Sequence, residues 1–153
     1  MTEFIKFLTT TKAGGYSDCL DRGKGSTLPN CVGFAWAMFY KEHGQTDMTK
    51  RPKGNANTLY EACKKDGSGF WVSKALKENS ILCFNIGDCG HVVYCFGKMP
   101  DGLWICAESN YSGTVLNGKY LRWLVTKDPT SLYKNYQGCI YDFVEEKKKT
   151  TKK

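Results

Sequence analysis

Residues 28–44 read LPNCVGFAWAMFYKEHG, and the pattern of this stretch predicts the first helix of the fold. Its apolar residues recur with the 3.6-residue period of a helix that packs one face against a core. They form the stripe Val32, Ala35, Trp36 and Phe39. Gly44 supplies a C-terminal stop, so the spacing predicts a helix from about Asn30 to His43.

The rest of the chain predicts one more helix and then a series of strands. Asn55 can cap a helix from about Ala56 to Lys65, which Gly67 ends. Short segments rich in aromatic and β-branched residues follow, which is typical of strands. We predict strands at Ile81–Phe84, Val92–Phe96, Leu103–Ala107, Tyr120–Val125 and Cys139–Val144. Helices first and strands second predict an α+β domain in which helices pack on one face of an antiparallel sheet.

Chain length and charge predict one domain with a basic tail. The 153 residues fit a single domain over 1–144, followed by a Lys-rich tail over 145–153. The net charge of +7 includes Lys147–Lys149, Lys152 and Lys153, and without these five lysines the chain carries only about +2. The tail favours anionic surfaces such as teichoic acid, phospholipid or nucleic acid, or is a solvated terminus. No motif within the domain indicates binding of nucleic acid.

The cysteine content and the N-terminus bear on the compartment. The chain has eight cysteines, yet the first residues, MTEFIKFLTTTKAGG, do not have the pattern of a signal peptide. No run approaches the roughly 18 apolar residues of a membrane span. We therefore expect synthesis in a reducing cytoplasm, thiols that stay free, and no membrane insertion.

Cys31 differs from the other cysteines by its position. It lies in the first turn of the predicted helix, where unpaired N–H groups and the positive end of the helix dipole stabilise a thiolate. Because the thiolate is the nucleophilic form, this is the position that a catalytic cysteine requires. A cysteine near a helix start is also a common small core residue, so the position alone does not decide between the two interpretations.

Two histidines could act as the base for Cys31. His43 falls at the other end of the same predicted helix, about 18 Å away at 1.5 Å per residue, and a C-terminal capping role explains it. His91 opens a predicted strand in GDCGHVVYCFG, where neighbouring glycines allow close approach of the backbone. A His presented there to a helix N-terminus can form the Cys–His pair of a thiol hydrolase, or it is a satisfied histidine at the edge of the sheet.

A third polar group is predicted beside His91. The strands Val92–Phe96 and Leu103–Ala107 pair as a hairpin through the turn at MPDG, which brings Glu108 back to the His91 end. Asn110 shares a strand face with Glu108, because side chains alternate with period two. A carboxylate or an amide there can accept from the imidazole and fix its tautomer and orientation.

Taken together, these segments resemble a known family. LPNCVGFAWAMFY, GNANTLYEACKKDG, GHVVYCFG and AESNYSG resemble, in order and spacing, the CHAP domains (cysteine, histidine-dependent amidohydrolase/peptidase) of phage endolysins. The resemblance extends from about Gly14 to Val144 and implies a papain-like α+β fold. It also implies hydrolysis of an amide in bacterial peptidoglycan, either between muramic acid and L-Ala or within the stem peptide or cross-bridge.

The resemblance assigns roles to particular residues. By position, Cys31 resembles the family nucleophile, His91 its base and Glu108 the group that orients the histidine. Asn110 resembles the other polar residue that the family places there. The backbone N–H of Cys31 is expected to donate to the oxyanion, and the side chain of Tyr16 or Asn30 is the candidate for a second donor.

No cofactor and no required metal are predicted. Some CHAP domains bind calcium in an Asp-rich loop before the nucleophile, but here Arg22 and Lys24 interrupt the acidic residues Asp18 and Asp21. The expected partner is peptidoglycan, with anionic wall polymers contacting the tail. We expect a monomer that is made in the host cytoplasm and acts on the wall after release.

Two alternative functions stay open. One is another papain-like cysteine peptidase, although the commonest bacterial sister family uses a second His as its third group and no His follows His91 here. The other is a zinc-binding or thiol-rich module built on Cys83, Cys89, His91 and Cys95, whose spacing lacks the short pairs typical of zinc sites.

Overall fold

The structure is a computed structural model that describes residues 31–45, 51–52, 54–109 and 121–145. Within these ranges the chain forms two α-helices, α1 (Cys31–Glu42) and α2 (Ala56–Lys64), and a 3₁₀ helix at Pro129–Ser131. The predicted helix start at Asn30 and the basic tail beyond 145 lie outside the described residues. In those ranges no helix is long and apolar enough to cross a bilayer.

In the described part of the chain, six strands form one antiparallel sheet. Their order across the sheet is β1-β6-β2-β3-β4-β5, which places β3 near the middle. The strands are β1 (Phe70–Ser73), β2 (Ser80–Phe84), β3 (His91–Lys98), β4 (Trp104–Ser109), β5 (Leu121–Thr126) and β6 (Tyr136–Phe143). The predicted α+β class and the antiparallel sheet are confirmed.

The helices pack on one face of the sheet, as predicted. Side chains from α1 and α2 meet every second residue of β2 and β3 in the larger cluster of buried residues, which includes Trp36, Phe39, Leu59, Cys83 and Tyr94. Each of these side chains is almost completely removed from water. Burial of apolar area on this scale is the main favourable term in folding, at roughly 25 cal/mol per Å².

The opposite face of the sheet is buried as well. A second cluster contains Leu82, Phe84, Val93, Cys95, Cys106 and Cys139. Loop residues cover it, among them Leu132, Tyr133 and Tyr136 from the segment between β5 and β6. All of β2 and the first six residues of β3 are therefore buried, so a residue on either face at the end of β3 lies in a protected environment.

Two details differ from the sequence prediction. The strand β1 was not predicted, because FWVS is only four residues long and Trp71 at its centre is 50% exposed. Asn55 does occupy the N-cap position of α2, but its side chain makes no capping hydrogen bond to any described residue. Its backbone carbonyl instead accepts from the amide of Thr58 at 3.0 Å and from the hydroxyl of Thr58 at 2.8 Å.

Candidate active site

Cys31 is the first described residue of α1 and stands at the end of the helix that faces the start of β3. Its side chain is partly exposed and packs against the cluster on the helical face. In general, the first peptide N–H groups of an α-helix have no acceptor within the helix, and they carry the positive end of its dipole. This location combines access from solvent with the positive end of the helix dipole.

His91 is the first residue of β3, and the chain before it is held by α2. The amide N–H of Asn57 donates to the carbonyl of Cys89 at 2.9 Å. The side-chain amide of Asn57 donates to Asn85 Oδ1 and to the carbonyl of Asp88, both at 3.2 Å. These bonds fix the loop that leads into His91. The start of α2 therefore determines the position of the strand end that carries the imidazole.

Gly90 allows this close approach between the loop and the helix. A Cβ atom at this position would lie 2.5 Å from the backbone nitrogen of Asn57, and the φ angle of Gly90 is +79°. Both observations require a residue without a side chain. The contact between the loop and α2 thus explains why a glycine precedes His91.

Glu108 lies beside His91, as the predicted hairpin requires. Strands β3 and β4 pair antiparallel, and His91 Nε2 is 2.7 Å from Glu108 Oε1. Glu108 is only 1% exposed and His91 4%. Because an ionised carboxylate only accepts, Nε2 carries the proton of this hydrogen bond, and a carboxylate buried so deeply needs such partners.

Cys31 and His91 interact directly across the two layers. Burial by itself lowers the pKa of His91. Hydrogen bonds with Cys31 and Glu108, together with the negative charge of both groups, outweigh the effect of burial. The net result is a pKa raised from 6.5 to about 9. Because Glu108 occupies Nε2, Nδ1 is the ring nitrogen left for the sulfur. The arrangement therefore favours the imidazolium form of His91 at neutral pH.

Tyr133 completes the surroundings of the carboxylate, and the sequence analysis did not anticipate it. Its hydroxyl lies 2.7 Å from Oε1 and 2.9 Å from Oε2 of Glu108. Its ring meets the imidazole of His91 edge to face, with centroids 5.3 Å apart. The residue is 25 positions from Glu108 in a segment without periodicity, so no local pattern could have identified it.

His43 lies away from the candidate site, as the helix length predicts. Its Nε2 donates to the carbonyl of Asn79 at 2.8 Å, and its ring packs on Phe39 and Phe143. Nδ1 is 3.5 Å from Asp142 Oδ1. These contacts are those of a structural residue that joins the end of α1 to the sheet.

Three other candidates lie outside the residues that the structure describes: Asn110, Tyr16 and Asn30. The possible calcium-binding aspartates, Asp18 and Asp21, lie outside as well. Their proposed roles therefore stay predictions. Within the described ranges, the site contains Cys31, His91, Glu108 and Tyr133.

The residues suggested for a zinc site do not converge. Cys83 is opposite Val92 in the β2–β3 pairing and faces the helices, whereas Cys95 faces the other side of the sheet. Cys89 is exposed in the loop before β3. In the described part of the chain, no three His, Cys, Asp or Glu side chains are grouped so that they could hold a metal ion.

Comparison of the chain with models of known protein families gives no match, and comparison with curated proteins gives none either.

Proposed function

We propose that the protein is a thiol hydrolase of the CHAP type that cleaves an amide bond of bacterial peptidoglycan. The single observation that supports this most strongly is the convergence of Cys31, His91 and Glu108 from three separate elements. A helix start supplies the nucleophile, and two adjacent strand ends supply the base and its carboxylate. This order of parts is also what a papain-like fold would provide.

In the proposed reaction, the Cys31 thiolate attacks the carbonyl carbon of the amide. The C–N bond breaks as the His91 imidazolium gives its proton to the leaving amine, and an acyl group remains on sulfur. His91, now neutral, takes a proton from water, and the resulting hydroxide attacks the thioester. The C–S bond breaks, the acid product leaves, and the thiolate–imidazolium pair is restored.

Glu108 holds the imidazole in the orientation and charge state that these steps require. It accepts from Nε2, which leaves Nδ1 for the sulfur and the leaving group. Because Glu108 is buried, its charge acts on the imidazolium with little screening by water. The oxyanion would be stabilised by the backbone N–H of Cys31, with Tyr16 or Asn30 as the candidate for the second donor.

The substrate class follows from the family resemblance and not from the geometry alone. The resemblance of residues 14–144 to CHAP domains suggests the bond between muramic acid and L-Ala, or a bond in the stem peptide or cross-bridge. The proposed setting is release of a monomeric enzyme from the host cytoplasm, with the Lys-rich tail contacting anionic wall polymers.

The test compares the protein with its Cys31→Ala variant on purified bacterial cell walls. Mass spectrometry of the released fragments should reveal new amino and carboxyl termini at one amide, and the variant should produce none. A correctly folded Cys31→Ala protein that still clears walls would refute the assignment. Cleavage of an unstructured protein such as casein, with walls left intact, would instead favour a papain-like peptidase.

A further inference from the structure

We propose that Tyr133 is a positioning residue of the catalytic site, which fixes the Glu108 carboxylate and, through it, the imidazole of His91. This inference rests on the proposed function for its kinetic consequences. Its structural part, the control of Glu108 and His91 by one hydroxyl, can be measured without any substrate.

The hydroxyl of Tyr133 and the imidazole of His91 donate to the same carboxylate. His91 Nε2 and Tyr133 Oη each lie 2.7 Å from Oε1, and Tyr133 Oη is also 2.9 Å from Oε2. The hydroxyl therefore lies between the two oxygens and shares its proton with both. Hydrogen bonds to the ionised form of a carboxyl group favour that form, so Tyr133 helps Glu108 to stay charged in a site with almost no water.

The ring of Tyr133 is fixed by packing, which gives the hydroxyl a defined position. It stands edge to face against His91, and also against Phe84 at 5.4 Å between centroids with an interplanar angle of 83°. It thus touches both the base and the carboxylate that orients the base. A residue that only filled space would not need its hydroxyl at the midpoint of a buried carboxylate.

The chain on the N-terminal side of Tyr133 is held in place by Asp128. This side chain caps the 3₁₀ helix, accepting from the amide of Thr130 at 3.1 Å and from its hydroxyl at 2.7 Å. It also accepts from the hydroxyl of Ser131 at 2.8 Å. The segment that delivers Tyr133 to the site therefore has its own local anchor.

Loss of the hydroxyl should weaken the hold of Glu108 on His91. Without this donor, the buried carboxylate can rotate or take up a proton, and either change removes negative charge from Nε2. Cys31 from α1, Glu108 from β4 and Tyr133 itself are titratable groups that face His91. Tyr133→Phe removes the hydroxyl and leaves Cys31 unchanged, so the pKa of His91 is expected to change through Glu108.

The direct experiment is a titration of His91 by NMR in the wild type and in Tyr133→Phe. The chain contains two histidines, so selective labelling gives two signals, and His43→Gln identifies which is which. We expect Tyr133→Phe to lower the pKa of His91 by about one unit and to leave the His43 signal unchanged. On cell walls, kcat should fall about tenfold with KM nearly unchanged, because orientation of the base affects chemistry more than binding.

Tyr136→Phe is the matched control. The ring of Tyr136 packs on Phe84 at 5.5 Å, as that of Tyr133 does, but its hydroxyl lies near Cys139 and not at Glu108. This variant should keep both the pKa of His91 and kcat. Equal effects of Tyr133→Phe and Tyr136→Phe on His91 would overturn the proposal in favour of a purely structural role.

A double variant separates this inference from the proposed function. If Tyr133 acts through Glu108, Tyr133→Phe should change the pKa of His91 very little in a Glu108→Gln background. An undiminished shift in that background would contradict the inference. Failure of the enzyme assignment would instead appear as wall cleavage that persists in Cys31→Ala, whatever the NMR titration gives.

Discussion

At the scale of single residues, the two histidines provide a comparison within one molecule. His91 interacts with a thiol and a buried carboxylate, whereas His43 interacts with a backbone carbonyl and two phenylalanine rings. Both rings are largely shielded from water, so burial alone does not separate them. The two histidines differ in their interaction partners, and these partners lead to opposite expectations for substitution.

We predict that His91→Ala abolishes wall hydrolysis, with a loss of at least about a thousandfold in kcat, as expected for removal of a base that acts as a unit with its nucleophile. His43→Ala should keep most activity but unfold at a lower temperature, because it removes packing on Phe39 and Phe143. Turbidity assays and thermal denaturation of both variants check this. Loss of activity in a stably folded His43→Ala protein would contradict the assignment.

The raised pKa of His91 predicts the alkaline limit of activity. The pKa is raised to about 9, so the imidazolium that we propose as the proton donor to the leaving amine persists through neutral pH and is lost as the pH rises through about 9. The same sign applies to stability: the contribution of His91 is complete below pH 6.5 and disappears as the pH passes the folded-state value. In a profile of rate against pH from 6 to 10, the rate should fall on the alkaline side near pH 9. A fall near pH 6.5 would contradict the pairing of His91 with Cys31 and Glu108.

Sequence reasoning identified some of these residues and not others, for physical reasons. Cys31, His91 and Glu108 stand at element ends, where helix periodicity and hairpin pairing fix positions from local information. Tyr133 lies in a loop without periodicity, and its approach to Glu108 depends on tertiary packing that no local spacing encodes. Asn110, Tyr16 and Asn30 fall outside the described ranges and stay predictions.

At the scale of elements, the contact between α2 and the loop before β3 controls the position of His91. The start of α2 contributes three hydrogen bonds from Asn57 to this loop. Gly90 makes the contact possible, because a side chain there would overlap Asn57. The second helix therefore has a role in the site although it carries no proposed catalytic group.

Gly90→Ala should test this contact, with Gly87→Ala as its control. Both glycines have positive φ, but a Cβ at Gly87 meets no atom within 4 Å in the described part of the chain, whereas one at Gly90 overlaps three atoms of Asn57. We expect Gly90→Ala to lower the free energy of unfolding by about 1–3 kcal/mol more than Gly87→Ala does and to reduce kcat. Equal effects of the two substitutions, measured by denaturant unfolding, would show that strain alone is responsible.

The elements themselves were largely predictable. Both predicted helices and all five predicted strands occur, with bounds that differ by up to three residues, because aromatic and β-branched runs separated by turn residues are strong signals. The strand β1 was missed because it is four residues long and, among the described strands, pairs only with the distant β6. Its existence depends on the partner strand and not on its own composition.

At the scale of the whole molecule, most cysteines serve as core residues. Of the seven that the structure describes, Cys31 is partly exposed, Cys89 is exposed, and the others are buried. Burial raises the pKa of Cys63 to about 12 and that of Cys83 well above its usual range. Thiols in such surroundings stay protonated and unreactive at neutral pH.

Alkylation with iodoacetamide should therefore be selective in the native protein. In a Cys19→Ser background, which removes the cysteine outside the described ranges, we expect labelling at Cys31 and Cys89 and protection of the five buried thiols until the protein is unfolded. Peptide mass spectrometry gives the pattern. Blocking Cys31 should end wall hydrolysis, while a Cys89→Ser protein should keep it; rapid native labelling of Cys83 would contradict the packing.

The two-layer arrangement has a consequence for the proposed hydrolysis, because both layers must be in place before the Cys–His pair exists. The helix α1 carries the sulfur of Cys31 and the sheet carries the imidazole of His91, so neither layer holds the whole Cys–His pair by itself. A nascent or heat-loosened chain whose layers have separated would be inert toward amides even with its helices and hairpins intact. In the proposed hydrolase, activity would therefore report the docking of the helices on the sheet and not the formation of either layer alone.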